Sequence, residues 1–265
     1  PDARDALVIE VSSAAGWEDG FAKLERSLRD RALSDKRIHR MSRPTYQNFG
    51  IFMRDQMNQR ALLADARSTL KTELAGLDDA RLRAYVDTIK QPLPQKMQAL
   101  DRMANVQAEL PHINRYKINL QTKAPPAERL ALVDRYLDAS GLRAAYMQDQ
   151  LAQLRQFLST AQEGISNEEL DSQSRTLTPE LTKRVEFNAR ADVLALYRDV
   201  PDEELKTYVE LLESPAVADV LVRVTRVSVA AGQRATFAML GKLAELVPPS
   251  AEDKAAVEAS RAQQR

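Results

Sequence analysis

Apolar residues recur along most of this chain at the spacing that gives an α-helix one buried face. Leu205, Tyr208, Val209 and Leu212 occupy positions i, i+3, i+4 and i+7, so a helix would place all four side chains on one side. The segment 82–89 repeats that spacing, and acidic residues precede both segments. The pattern predicts amphipathic helices arranged as hairpins.

The two segments belong to a longer internal repeat. Residues 77–92 resemble residues 200–215, and the matching positions lie 123 residues apart. Self-similarity at a fixed offset is typical of one structural unit used twice. We therefore predict an all-α protein of two pseudo-repeated multi-helix units built around helix hairpins. The residues of its structural motif are Leu82, Tyr85, Pro92, Leu205, Tyr208, Ser214 and Pro215.

Prolines mark where the units begin and end. Ala124–Pro126 contains two consecutive prolines and is the clearest linker signal in the chain. We predict a first unit over residues 1–123 and a second unit over residues 124–249. Residues 250–265 are predicted to form a polar tail.

Four local predictions refine this outline. Gly16 and Gly141, which lie 125 residues apart, each end the first helix of a unit. The polar stretch from Ile165 to Pro179 is interpreted as a loop. The valine-rich segment 217–229 keeps helical spacing rather than strict alternation, so we favour a helix over a strand. Ser214–Pro215 is interpreted as the start of that helix, with the serine as its cap.

Composition narrows the classes of function. Lys plus Arg and Asp plus Glu both total 38, so the zero net charge gives no electrostatic reason to expect a nucleic-acid partner. No apolar run reaches the roughly 18 residues of a membrane-spanning helix, and we predict no membrane span. The chain contains no cysteine, which excludes a thiol nucleophile, a disulfide framework and a Cys-ligated metal site.

Motifs for catalysis, metal binding or cofactor binding are not found in the sequence. His39 lies among basic residues and His112 follows a proline, and neither has a His or carboxylate partner at zincin spacing. The carboxylate pairs Asp78–Asp79, Glu168–Glu169 and Glu203–Glu204 are better explained as helix caps and partners of the helix dipole. We therefore predict no catalytic, metal or cofactor residues, and a protein that is not an enzyme.

Two stretches remain as candidate binding surfaces. Aromatic and methionine side chains at helical spacing could form a groove for an apolar ligand or a partner, although the same pattern is typical of core. A basic cluster could hold an anion, although on a neutral chain it is typical of a solvated face. The groove residues are Tyr46, Phe49, Phe52, Met53 and Met57, and the anion-patch residues are Lys36, Arg37, Arg40 and Arg43.

The hairpin of the second unit resembles a known bacterial family. Asp-Glu-Glu-Leu, then Tyr, then Glu-Ser-Pro within Asp202–Pro215 is similar to the hairpin of proteins grouped as domain of unknown function 2059. The resemblance spans residues 128–246 and includes Leu-Asp-Ala-Ser-Gly-Leu at Leu137–Leu142. In the first unit Lys90–Pro92 replaces Glu-Ser-Pro, so that unit is identified as a diverged copy. The resemblance implies an exported α-helical protein and transfers no catalytic residue.

These observations rank three functions. The first is a non-catalytic protein-interaction module, the second is a carrier of a small apolar or amphiphilic ligand between helices, and the third is an enzyme. A deep cavity would favour the carrier, and a flat exposed apolar patch would favour the interaction module. We predict a periplasmic or secreted location, which the resemblance implies and the absence of cysteine fits. The start at Pro1 fits either a cleaved export signal or a trimmed chain.

Overall fold

Helices make up almost all of the structure, a computed structural model that describes residues 3–104, 110–161 and 165–248. Within these ranges no strand occurs, which confirms the all-α fold class. In chain order the elements are α1 (Ala3–Ala14), α2 (Trp17–Ser34), a 3₁₀ helix (Lys36–Arg40), α3 (Arg43–Gln56), α4 (Gln59–Glu73), α5 (Asp79–Ile89), α6 (Pro92–Ala104), α7 (Leu110–Leu120), α8 (Ala127–Ala139), α9 (Leu142–Ala161), α10 (Asn167–Leu196), α11 (Asp202–Leu212) and α12 (Ala218–Leu246).

Polar side chains fix where several of these helices begin. Asn58 accepts a hydrogen bond from the backbone N–H of Ala61 at 2.9 Å and caps α4. Asp78 accepts one from the N–H of Arg81 at 2.8 Å and caps α5. The acidic run Asp202–Glu204 lies in the first turn of α11, where carboxylates stabilise the helix dipole. These acidic residues therefore serve helix starts, as the sequence predicted.

The apolar face of each predicted hairpin helix is buried. Helices α5 and α11 place four side chains each into one hydrophobic core that draws on both units. The prediction from helical spacing is therefore confirmed for both faces. The buried residues are Leu82, Tyr85, Val86 and Ile89 in α5, and Leu205, Tyr208, Val209 and Leu212 in α11.

The long helix α12 joins the two predicted units. It packs against α2, α3, α4 and α5 of the first unit and against α9 of the second. Its helical conformation confirms the interpretation of the valine-rich segment. Residues of both predicted units thus share one core, and the division into units stays a prediction. The buried stripe of α12 consists of Val220, Val224, Val227, Ala231, Ala235, Met239 and Leu243.

A nearly buried arginine of α8 holds the start of α11. Arg129 forms an ion pair with Asp202 at 2.6 Å and donates a hydrogen bond to the carbonyl of Val200 at 2.9 Å. It also donates to the carbonyl of Tyr197, just beyond the end of α10. A guanidinium suits this place because carbonyls at a helix C-terminus carry partial negative charge. The Arg129 side chain therefore connects α8 to the end of α10 and to the start of α11.

An equivalent arginine lies in the first unit. Arg4 of α1 forms an ion pair with Asp79 and donates to the carbonyls of Leu74 at 2.6 Å and Leu77 at 2.8 Å. These three acceptors lie 123 positions before the acceptors of Arg129, the offset of the sequence repeat. The matching contacts support the internal repeat, which stays a prediction.

Two glycines turn the chain between the first two helices of each unit. Gly16 and Gly141 have φ angles of 75° and 73°, in the left-handed region that side chains with a Cβ rarely adopt. Helices α1 and α8 end two residues before these glycines, at Ala14 and Ala139. The prediction that each glycine ends a helix is confirmed.

Replacing Gly141 with alanine is expected to destabilise the protein by at least about 2 kcal/mol. The left-handed backbone costs about 1–2 kcal/mol for a residue with a Cβ. The new Cβ would also lie 3.2 Å from the Cα of Val222, a backbone atom of α12 that cannot move alone. Gly16→Ala is the matched control, because its Cβ would meet only Gln98 Oε1 at 3.8 Å. Urea denaturation should give a larger loss of unfolding free energy for Gly141→Ala than for Gly16→Ala. Equal losses would contradict the steric contact between position 141 and α12.

The predicted loop between Ile165 and Pro179 is wrong, because most of this stretch belongs to α10. Ser166 and Glu169 form a reciprocal capping box that begins the helix, with Ser166 Oγ accepting from the N–H of Glu169 at 3.2 Å. Pro179 lies inside the helix, where it removes one backbone hydrogen bond. Leu170 and Leu181 are buried on either side of it. Packing of α10 along α9 offsets the cost of the proline.

The predicted role of Ser214–Pro215 as the start of α12 is also wrong. Ser214 Oγ donates to the carbonyl of Leu211 at 2.6 Å, so this hydroxyl closes α11. The next three residues form a turn, and α12 begins at Ala218. At the other end α12 stops at Leu246, and the polar tail predicted over 250–265 lies outside the described residues.

Candidate functional site

A cavity of about 820 Å³ is lined by residues of both predicted units. Corresponding parts of both units line it, including α5 with Tyr85 and α11 with Tyr208. The corner at Gly16 and the corner at Ser140 also face the cavity, and α12 closes one side through Val224. Small-molecule sites typically enclose roughly 300–1,000 Å³. The cavity is therefore large enough for an organic ligand.

Hydroxyl-bearing aromatic residues are concentrated around this cavity. The chain has seven tyrosines and one tryptophan, and five of the tyrosines and the tryptophan line the cavity. None of the six phenylalanines does so. Phenylalanine would fill a core without the cost of burying a hydroxyl. The preference for tyrosine indicates that the hydroxyls matter to this cavity. The lining aromatic residues are Trp17, Tyr85, Tyr136, Tyr146, Tyr197 and Tyr208.

Three of these tyrosines form a packed cluster. The ring centroids of Tyr136 and Tyr197 lie 5.3 Å apart in an edge-to-face arrangement, and both rings contact Tyr208. The hydroxyl of Tyr197 donates to that of Tyr136 at 3.3 Å. Burial raises the pKa of Tyr136 to about 12, and a hydrogen bond from Tyr197 opposes this shift. The pKa of Tyr208 is raised by burial and lowered in part by a hydrogen bond with Tyr197. The hydroxyls of this cluster are therefore neutral, and those of Tyr136 and Tyr197 are hydrogen-bonded to each other.

Tyr85 differs from that cluster. Its side chain is 0% exposed, and its hydroxyl has no hydrogen-bond partner within the described part of the chain. Leaving a buried hydroxyl unpaired costs about 1–3 kcal/mol. Burial also raises the pKa of Tyr85, so the hydroxyl keeps its proton at neutral pH and remains a donor. A residue with an unused donor thus lines the cavity.

Charged side chains of both signs surround the cavity's outer part. Lys117 of α7 forms an ion pair with Asp192 of α10, and Arg102 of α6 lies 3.7 Å from Asp19 of α2. Asp101 is solvent-accessible through the cavity, although protein atoms enclose it on most sides. That enclosure raises the pKa of Asp101, whereas the charges of nearby lysine and arginine lower it. The cavity thus combines an aromatic interior with a charged entrance.

Gly20 of α2 lies beside the cavity. Gly20 lines the cavity, and a Cβ built on it would meet no atom within 4 Å. Glycine inside a helix is destabilising by about 1 kcal/mol relative to alanine. Gly20 is exposed, so a larger side chain can be introduced there without a clash.

The predicted aromatic-methionine groove does not form an open surface. Phe49 and Met57 are buried, and Phe52 and Met53 are half-buried against the core. Tyr46 alone of the five is exposed. The stripe is therefore mostly core, the second of the two interpretations that its spacing allowed.

The predicted anion patch lies on and beside the 3₁₀ helix. Lys36, Arg40 and Arg43 are exposed, but Arg37 binds Asp35 through two hydrogen bonds of 2.9 and 2.8 Å. These bonds are the largest cause of the lowered pKa of Asp35. Part of the basic charge is therefore neutralised within the patch itself.

The two histidines do not converge on a common site. His39 and His112 are both exposed. In the part of the chain that the structure describes, no three His, Asp or Glu side chains are grouped to hold a metal ion. Over the same ranges, no helix is both long and apolar enough to span a membrane.

A second depression of about 630 Å³ lies between α7 and α10. Its lining includes Ile118, which is 62% exposed, and Phe187, which is 49% exposed. Exposed apolar side chains beside a depression are typical of contact surfaces. This surface, the α7–α10 groove, is separate from the aromatic stripe that the sequence suggested.

Sequence reasoning identified Tyr85 and Tyr208 only as structural motif residues. It missed the other four lining aromatic residues as parts of a cavity, because a void is created by the packing of distant helices; these are Trp17, Tyr136, Tyr146 and Tyr197. One signal was available: tyrosine recurs on apolar helix faces where phenylalanine would be the simpler core residue.

The chain was compared with protein-family models, curated proteins and solved structures, and none of them matches it.

Proposed function

We propose that this protein binds a small amphiphilic molecule in the cavity between its two helical units and acts without catalysis. The observation that carries the proposal is the aromatic cavity, which gathers five of the seven tyrosines and the one tryptophan around about 820 Å³. Aromatic walls suit an apolar body, and a charged entrance suits a polar end. This is the carrier that the sequence ranked second.

Trp17 offers a direct test because it is the chain's one tryptophan and lines the cavity. The probe is phenylnaphthylamine, an uncharged amphiphile whose fluorescence rises in apolar surroundings and overlaps tryptophan emission. Titration into the purified protein should raise probe fluorescence and quench Trp17 with one saturable site. A cavity-bound probe lies within energy-transfer distance of the indole, so both signals should give the same Kd.

Filling the cavity should abolish this binding without unfolding the protein. Gly20→Phe places a large side chain in open space beside the cavity, and we expect its Kd to rise at least about tenfold. Gly20→Ala is the matched control, because it keeps the space and removes a helix-weakening glycine. We expect the alanine variant to bind normally and to be about 1 kcal/mol more stable. Equal affinity in both variants would place the probe elsewhere and contradict the proposal.

The interaction module is the second candidate, and the α7–α10 groove favours it. Ile118 and Phe187 expose apolar surface there. Native mass spectrometry of protein purified from its own host distinguishes the two functions. A retained mass of a few hundred daltons supports the carrier, and a retained polypeptide that is lost on Ile118→Ser supports the module.

We further propose that the protein is exported to the periplasm or the medium. Support comes from the resemblance of Asp202–Pro215 to an exported family and from the absence of cysteine. Fractionation of the host is the test, and recovery in the cytosol alone would contradict export.

A further inference from the structure

We infer that the Tyr85 hydroxyl donates the hydrogen bond that orients the bound molecule, and that this molecule carries an uncharged oxygen acceptor, such as a carbonyl, at its buried end. The inference rests on the proposed function and names the chemistry of its ligand.

The contrast between Tyr85 and other tyrosines of the cavity supports this assignment. Tyr85 and Tyr208 occupy matching positions on α5 and α11, and both line the cavity. The hydroxyls of Tyr197 and Tyr136, which face the same cavity, bond to each other, whereas the hydroxyl of Tyr85 has no partner among the described residues. If Tyr85 served packing alone, a phenylalanine at position 85 would do so without an unpaired hydroxyl. The hydroxyl of Tyr85 therefore has a role that the protein alone does not fulfil.

The charges around the cavity indicate that the acceptor is neutral. Tyr85 is fully buried, whereas Lys23, Arg26 and Arg102 are exposed at the entrance. A carboxylate placed at the depth of Tyr85 would lose its hydration without gaining one of these cations. The negative charge of Asp101 also acts on the cavity tyrosines, since it contributes to their raised pKa values. The same charge would repel an anion from the interior.

The remaining lining fits an apolar body beside that acceptor. Ile89, Leu212, Leu221 and Val224 contribute aliphatic surface from α5, α11 and α12. An elongated molecule would place its oxygen against Tyr85, its hydrocarbon against these side chains and its more polar end towards the charged entrance. This is the chemistry of a neutral amphiphile that bears a ketone, ester or aldehyde group.

A matched pair of probes tests the inference. Acetylnaphthalene has a carbonyl acceptor, and ethylnaphthalene has nearly the same shape without one. We expect quenching of Trp17 to report about tenfold tighter binding of the ketone, the ratio that one buried hydrogen bond provides. Tyr85→Phe should remove this preference by weakening the ketone alone, because the aromatic ring that contacts both probes is kept.

Two controls separate a ligand-binding role from a structural one. Tyr85→Phe should show no loss of thermal stability, since it removes an unpaired hydroxyl. Ser214→Ala should lose stability and keep the preference for the ketone, since it breaks the hydrogen bond from Ser214 Oγ to the carbonyl of Leu211. A lower melting temperature for Tyr85→Phe would show that the hydroxyl is structural and overturn the inference.

The outcomes for the wild-type protein are also distinct. Equal affinity for the two probes overturns the role of Tyr85 and leaves the proposed cavity function standing. A ketone preference that survives Tyr85→Phe does the same. If neither naphthalene probe binds and phenylnaphthylamine does not bind either, the proposed cavity function is contradicted. The inference about Tyr85 is then contradicted as well.

Discussion

Replacing Arg129 with methionine should lower the free energy of unfolding by about 2–4 kcal/mol, because its guanidinium donates hydrogen bonds to two buried carbonyls. The guanidinium binds Asp202 and the carbonyls of Val200 and Tyr197, and the side chain is only 10% exposed. Methionine keeps most of the aliphatic stem, so the loss measures the polar contacts. Without the arginine, two buried carbonyls lose their donor and a carboxylate loses its counter-ion.

The equivalent change Arg4→Met provides the control. Arg4 makes the same three kinds of contact, but its side chain is 23% exposed, so water replaces part of what is lost. Urea denaturation should show a smaller loss for Arg4→Met than for Arg129→Met. A loss below about 1 kcal/mol for Arg129→Met would show that the contacts of Arg129 contribute little to stability.

The protein should lose stability steeply between pH 10 and pH 12. Burial raises the pKa of Tyr136 and of Tyr146 to about 12, and it raises the pKa values of Tyr85, Tyr197 and Tyr208 as well. In the unfolded chain tyrosine ionises near pH 10. Above that pH the unfolded state binds fewer protons than the folded state, so stability falls as pH rises. Tyr136 alone should contribute a loss of roughly 2–3 kcal/mol over this range.

Tyr136→Phe tests the origin of that loss. Removing one titrating group should reduce the slope of stability against pH by up to about 1.4 kcal/mol per pH unit. Tyr46→Phe is the control, because it removes a tyrosine hydroxyl from an exposed position. Chemical denaturation at several alkaline pH values measures both slopes. Identical slopes for Tyr136→Phe and the wild-type protein would exclude Tyr136 as a cause of the loss.

Helical periodicity was sufficient to predict the faces of α5 and α11, because each apolar residue of those faces could enter a core only if the segment was helical. It also identified the valine-rich part of α12, where spacing outweighed the strand preference of valine. The failure at 165–179 has a physical reason. Pro179 and many polar residues favour a loop locally, but the Ser166–Glu169 capping box and packing on α9 stabilise a helix.

The cavity could not be predicted from the sequence in the same way. A helical face predicts that Tyr85 and Tyr208 turn inwards, but periodicity does not distinguish a filled interior from an enclosed space. That distinction depends on how α2, α6, α7 and α10 approach each other, which are contacts between residues far apart in the chain. Arg4 and Arg129 belong to no apolar pattern in the sequence. Their contacts with carbonyls and carboxylates therefore became visible only in the structure.

The position of α12 has a consequence for the protein during its synthesis. Helices α2, α3, α4 and α5 leave the ribosome early, yet a helix that covers them is encoded after residue 217. Their apolar surfaces therefore remain uncovered while most of the chain is being translated, a situation in which chains aggregate or recruit chaperones. A product truncated before α12 would lack this cover permanently. We expect such fragments to be cleared by proteolysis rather than to accumulate as a folded half-protein.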